Sequence, residues 1–162
     1  LEALDAWQGP ETSHQDFIFS DTAVEVKSLS GRERNTVKIS SEDQLESLSS
    51  SLFLKVFRLI DMPESKASIS LNELVKAVEE TLTEAEAIEM FDTKLAKAGY
   101  VQMLAYDKPK FVVAEEQTYR VKGEFPKIVR SGLNAGLTRV GYEIKLESVR
   151  DFQCADKDVW GK

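Results

Sequence analysis

Residues 16–28, "DFIFSDTAVEVKS", decide how this chain is read. Two short apolar runs, "DFIF" and "AVEVKSL", flank the turn-forming trio Ser20-Asp21-Thr22, so the stretch predicts a β-hairpin. Side chains alternate along a strand, which puts Ala23, Glu25 and Lys27 on one face and Val24 and Val26 on the other. A strand otherwise suited to a core thus carries a carboxylate and an ammonium two residues apart, with Asp16 at the head of the preceding run. Two carboxylates held about 4 Å apart repel by roughly 1 to 4 kcal/mol at dielectrics of 80 to 20, so the placement costs stability unless something offsets it.

Working outward, "SGRERN" reads as a basic turn and "TVKIS" as a third strand. Ser41-x-x-Gln44 has capping-box spacing and predicts a helix over "SEDQLESL". "LFLKVFRLI" is β-branched and aromatic throughout and predicts a central strand. Ser70-x-x-Glu73 and Thr83-x-x-Glu86 predict the starts of two more helices. Leu71, Leu74, Val75, Val78 and Leu82 repeat at helical spacing in the first, and Ile88, Phe91, Leu95 and Ala98 in the second, before Gly99 ends it. "FVVAEEQTYRV" and "RVGYEIKLESV" supply two final strands. At the start, "LEALDAW" reads as the tail of a helix stopped by Gly9-Pro10. The order is helix, three strands, helix, strand, two helices, two strands. It predicts an α/β (α+β) fold, a mixed sheet flanked by helices.

The 162 residues, 42% of them hydrophobic, fit a single domain spanning 1–162. Charges interrupt every apolar stretch well short of the roughly 20 residues that cross a bilayer, so a soluble chain with no membrane partner is expected. One cysteine, Cys154, and one histidine, His14, exclude an internal disulfide framework and a Cys/His zinc site. A reducing, cytoplasmic setting follows. The net charge of −7 disfavours general phosphate binding. Lys27, Arg32, Arg34 and Lys38 against Glu33 nevertheless give a local 4 − 1 = +3, leaving the rest of the chain near −10.

Asp16 and Glu25 suit a divalent cation, because Mg²⁺ takes one or two carboxylates and completes its shell with water and phosphate. Lys27, on the face of Glu25, could orient an attacking water or neutralise a phosphate. The acid-x-Lys pattern is common here, occurring at Glu25/Lys27, Glu64/Lys66, Asp92/Lys94 and Glu143/Lys145. Only the first lies on an expected strand with an aspartate on the preceding one. The competing reading is an exposed Glu–Lys pair worth well under 1 kcal/mol, with Asp16 a turn residue. His14 could reach the same cleft, although a lone loop histidine is more often merely solvated, and Arg32, Arg34 and Lys38 could hold flanking phosphates, with a charged hairpin tip as the competing account. Trp7 reads as a packing residue. No Ser/His/Asp arrangement offers a serine nucleophile.

The run "WQGP…HQDFIFSDTAVEVKS…RNTVKISSEDQLESL" resembles a bacterial family of PD-(D/E)XK nucleases, restriction-endonuclease-like and found among restriction and phage-defence genes. The resemblance implies an αβββαβ core, metal-binding acids at Asp16 and Glu25, a catalytic lysine at Lys27 and an approaching glutamine at Gln44. It further implies Mg²⁺ (or Mn²⁺) as cofactor and DNA as substrate. A homodimer, or association with a separate ATPase or methyltransferase subunit, is also implied. Gln15 stands where the motif's name has proline. The superfamily's first helix often brings a further glutamate, and Glu2 lies too late to replace it, so that helix is expected to be truncated here. Two functions compete: a Mg²⁺-dependent endonuclease in restriction or phage defence, and an inactive nuclease-fold module that binds nucleic acid or a partner subunit.

Overall fold

Alternating and β-branched runs dominate the chain, and the computed structural model, which describes residues 1–11 and 13–160, assembles them into two sheets. After α1 (Glu2–Ala6) come β1 (Phe17–Phe19), β2 (Thr22–Ser30) and β3 (Thr36–Ile39). There follow β4 (Ser51–Asp61), α2 (Leu71–Glu79), α3 (Ala85–Lys97), β5 (Phe111–Arg120), β6 (Tyr142–Lys145), β7 (Gln153–Cys154) and α4 (Lys157–Trp160). The larger sheet has the order β1-β2-β4-β5-β7. Its β2–β4 pair is parallel and its other pairs are antiparallel. The result is the expected α+β class: a mixed sheet flanked by helices. "LFLKVFRLI" is its middle strand, and β1 and β2 form the expected hairpin with Phe17 opposite Val24.

Three local expectations are corrected. β3 leaves the main sheet and pairs with β6 in a two-stranded ribbon. A parallel β2–β4 pair needs a long crossover, and residues 31–50 supply it, so β3 travels within the crossover instead of extending the sheet. The helix expected over "SEDQLESL" is a single 3₁₀ turn, Glu42–Leu45. Ser41 Oγ accepts from Asp43 N, and Gln44 Oε1 accepts from Ser40 N at 2.7 Å. The carbonyls that a longer helix would use are taken by a distant side chain, described below. Finally, α3 starts at Ala85 behind Glu84 with no side-chain cap, so the Thr83 box does not form. The Ser70–Glu73 box forms completely, each partner's side chain meeting the other's backbone.

Glu25 and Lys27 lie beside Leu54 and Val56 of β4, on the same face of the sheet. The crossover covers that face. Val37, Ile39, Leu45, Ile144 and Leu146 close over Ala23, Leu54, Val56 and Tyr119 to make the principal core. On the opposite face of β4, Lys55 is only 5% exposed and is held by Asp156 and Glu116. That pairing explains a lysine inside the most apolar strand. A second, smaller core joins α1, α2 and α3 through Leu4, Val75, Ala87 and Phe91.

Leu54 is fully buried, in register with both Glu25 and Tyr119. Leu54→Ala is expected to cost about 2–5 kcal/mol, from lost transfer energy plus a residual cavity. Urea unfolding should show a lower midpoint at unchanged slope.

Candidate metal-dependent active site

Asp16 sits one step before the Phe17–Val24 pair, which carries it to the register position opposite Glu25. Val26 N donates to Asp16 Oδ2 at 2.8 Å. This bond, between the backbone of one hairpin strand and the side chain of the other, fixes the aspartate against the Glu25–Lys27 segment. Gly9 packs closely beside it: a Cβ there would lie 3.3 Å from Asp16 Oδ1 and 3.0 Å from Trp7 Nε1, so either side chain would have to shift by a few tenths of an ångström. Trp7 itself packs against Phe91, the structural part expected of it.

Glu25 is 1% exposed. Its Oε1 meets Lys27 Nζ at 2.6 Å, while its Oε2 has no hydrogen-bond partner. Burial, partly countered by Lys27 and reinforced by the neighbouring charge of Asp16, pushes the Glu25 carboxyl up to about 7. A buried oxygen without a donor costs free energy unless a proton or a cation satisfies it. The exposed-pair reading is therefore excluded for Glu25, since the pair lies inside the core face.

Lys27 Nζ also donates to Gln44 Oε1 at 3.1 Å. An ammonium has three donors, so one remains for a third acceptor. Gln44 thus reaches the site as expected, but from a 3₁₀ turn and not from a helix. His14 is exposed, its Nδ1 4.0 Å from Asp43 Oδ2 on the same turn. Arg32 lies past the end of β2 and Arg34 meets Glu143 at 3.9 Å, away from the carboxylate pair. Lys38 is exposed on β3 opposite Glu143.

The donor chemistry suits a hard divalent cation: one orphaned carboxylate oxygen on Glu25 and a second carboxylate, Asp16, across the hairpin. Among the described residues, no group of three or more His, Cys, Asp or Glu side chains is arranged to hold a metal. Asp16 and Glu25 are the residues that could bind it.

The sequence model of a family described as "Putative PD-(D/E)XK family member, (DUF4420)" matches residues 1–147. The chain belongs to this family. No curated protein and no solved structure matches it. PD-(D/E)XK nucleases, the group that this family's description names, generally use divalent metals. No helix among the described residues is long and apolar enough to cross a membrane.

Two arginines beside the turn that bears Gln44 escape a reading of the sequence. Arg130 Nη2 reaches Glu42 Oε1, and Arg139 Nε donates to Ser40 O at 3.2 Å. Together with Val140 N, which donates to the buried Glu42 at 2.8 Å, they fasten the glycine-containing segment 123–141 to the turn that bears Gln44. The contacts span nearly a hundred positions, and no local spacing announces them. The burial of Glu42, which marks their attachment, is itself visible only in the structure.

Proposed function

We propose that this protein is a metal-dependent endonuclease that hydrolyses DNA phosphodiester bonds, with Asp16 and Glu25 holding Mg²⁺ or Mn²⁺ and Lys27 serving the reaction. The observation that carries the reading is the buried Glu25 carboxylate, with one oxygen on Lys27, the other without a partner, and a second carboxylate across the hairpin. When bound, the ion supplies Lewis acidity toward a phosphoryl oxygen and a more acidic water. Lys27, anchored by Glu25 and Gln44, keeps one N–H for the scissile phosphate or the water. Gln44, the fourth residue of the candidate catalytic set, accepts from that ammonium and holds it in place. His14, Arg32, Arg34 and Lys38 are exposed cations or potential cations suited to more distant phosphates.

The family resemblance supports a role in restriction or phage defence, with a homodimer cutting both strands and an ATPase or methyltransferase subunit as companion. The unpaired Cys154 supports a reducing, cytoplasmic setting. A second reading, an inactive nuclease-fold module, is favoured by the net charge of −7 and by the absence, among the described residues, of a cluster of three or more metal-ligating side chains.

Supercoiled-plasmid nicking separates the two. The endonuclease should nick with Mg²⁺ or Mn²⁺, stop on addition of EDTA, and lose at least about 10²-fold in rate on Asp16→Asn, the scale of losing electrostatic stabilisation at a reacting centre. Equal backgrounds with and without metal would overturn the endonuclease reading and leave the binding module.

A further inference from the structure

Gln15 is the residue by which this chain departs from the motif's name, and it is 5% exposed. A buried primary amide brings two N–H donors and one carbonyl that need partners. Gln15 Nε2 lies 2.8 Å from Asp43 O, 2.9 Å from Glu46 O and 3.4 Å from Gln44 O. These are carbonyls of the 3₁₀ turn Glu42–Leu45 and of the residue that closes it. A short turn leaves its last carbonyls short of donors; Asp43 O accepts from Glu46 N at 3.2 Å, and the Gln15 side chain adds a second donor there and serves Gln44 O and Glu46 O. Proline at this position has no side-chain donor and could not do so.

The turn so gathered presents Gln44, whose Oε1 accepts at once from Ser40 N at 2.7 Å and from Lys27 Nζ at 3.1 Å. Lys27 in turn meets Glu25 Oε1. The residue after Gln15 is Asp16, whose carboxylate is held by Val26 N, between Glu25 and Lys27. The contacts therefore close a ring. It runs from Gln15 through the turn to Gln44, Lys27 and the Glu25–Lys27 segment, and back through Asp16. Outer groups of this kind fix the orientation of the side chains that do chemistry.

We propose that Gln15 is a positioning residue for the hydrolytic reaction: its amide fixes the turn that aims Gln44 at Lys27, linking the segment of one metal ligand to the placement of the lysine. The proposal rests on the endonuclease reading for its effect on rate. Its structural content is independent of that reading.

Gln15→Met keeps length and volume but removes the donors. Amide hydrogen exchange by ¹H–¹⁵N NMR should show Ser40 N–H, bonded to Gln44 Oε1, exchanging at least about tenfold faster than in the wild type. Val26 N–H, bonded to Asp16 Oδ2, should stay within about twofold. Mn²⁺ binding by calorimetry should stay within about threefold, since neither carboxylate bonds to the Gln15 side chain. Plasmid nicking should lose about tenfold or more in kcat with KM for DNA unchanged. An unchanged Ser40 exchange rate, or equal acceleration at Ser40 and Val26, overturns the proposal, the latter because it marks general loosening. If Gln15→Met does not fold, Gln15→Asn, one methylene too short to reach all three carbonyls, is judged by the same two amides. A wild type that binds Mn²⁺ yet never nicks DNA sinks the nuclease reading alone; a nicking wild type matched in kcat by Gln15→Met sinks this inference alone.

Discussion

Lys27→Ala is expected to reduce Mg²⁺-dependent nicking by about 10²–10⁴-fold, the range typical of removing a positioned proton-transfer or charge-stabilising group. Its ammonium is mostly buried, bonded to Glu25 and Gln44, with one donor to spare, so no solvent-exposed lysine can substitute for it. The substitution has a second consequence. Lys27 is what holds the Glu25 carboxyl down against burial. Without it the Glu25 proton is bound more tightly still, and metal capture near neutral pH weakens too. Nicking and Mn²⁺ binding should therefore both be measured at pH 8.5, where the carboxylate is more readily ionised. Rate lost with binding retained assigns Lys27 to the chemical step. Undiminished nicking at that pH would remove the lysine from the reaction altogether.

Metal affinity should itself report the state of Glu25. The metal-binding form is the carboxylate, and this carboxyl titrates near 7 in the folded chain against an ordinary value of 4.5. Between about pH 5 and 7, Mn²⁺ affinity should rise about tenfold per pH unit, one proton leaving for each ion bound. Above 7 it should flatten. Stability of the metal-free chain moves in the opposite direction. Because the folded state holds this proton more tightly than the unfolded one, the stabilising contribution is complete below about pH 4.5 and is lost as pH rises through 7. The full change is about 3 kcal/mol. Glu25 is so deeply buried that little solvent screening reduces this figure.

Glu25→Gln should remove both dependences. It should abolish the pH-linked Mn²⁺ binding, and at pH 8 it should make the metal-free chain more stable than the wild type, since an amide is cheaper to bury than an unpartnered carboxylate oxygen. Calorimetric titration at several pH values, alongside urea unfolding of the metal-free protein, checks both arms. A flat affinity profile from pH 5 to 8 would refute the assignment of Glu25 as a ligand.

Much of the candidate site was legible in one hairpin. Alternation alone puts Glu25 and Lys27 on a shared face, and the turn at Ser20-Asp21-Thr22 brings Asp16 back across to them, because both effects are local and geometric. What remained open was whether the Glu–Lys pair faced water or core. The answer lies in β3, the Glu42–Leu45 turn and β6, which close over that face from as far away as Tyr142. Capping-box spacing misled at Ser41 for a related reason. Spacing describes which bonds a helix start can make, whereas Gln15 and Ser40, outside the expected helix, claimed the groups that would have extended it.

Apart from the two-residue β7, the sequence by itself determined the strands, the middle position of "LFLKVFRLI", the α2 start at Ser70 and the candidate acid, acid-x-Lys set. These depend on periodicity and on bonds between residues a few positions apart. Only the tertiary structure decided that Glu25 is buried with one oxygen orphaned, that Lys55 is neutralised by Asp156 from 101 residues away, and that Gln15 holds the turn behind Lys27. Burial and charge compensation are properties of what packs above a side chain, and a one-dimensional pattern carries no record of what comes to lie there.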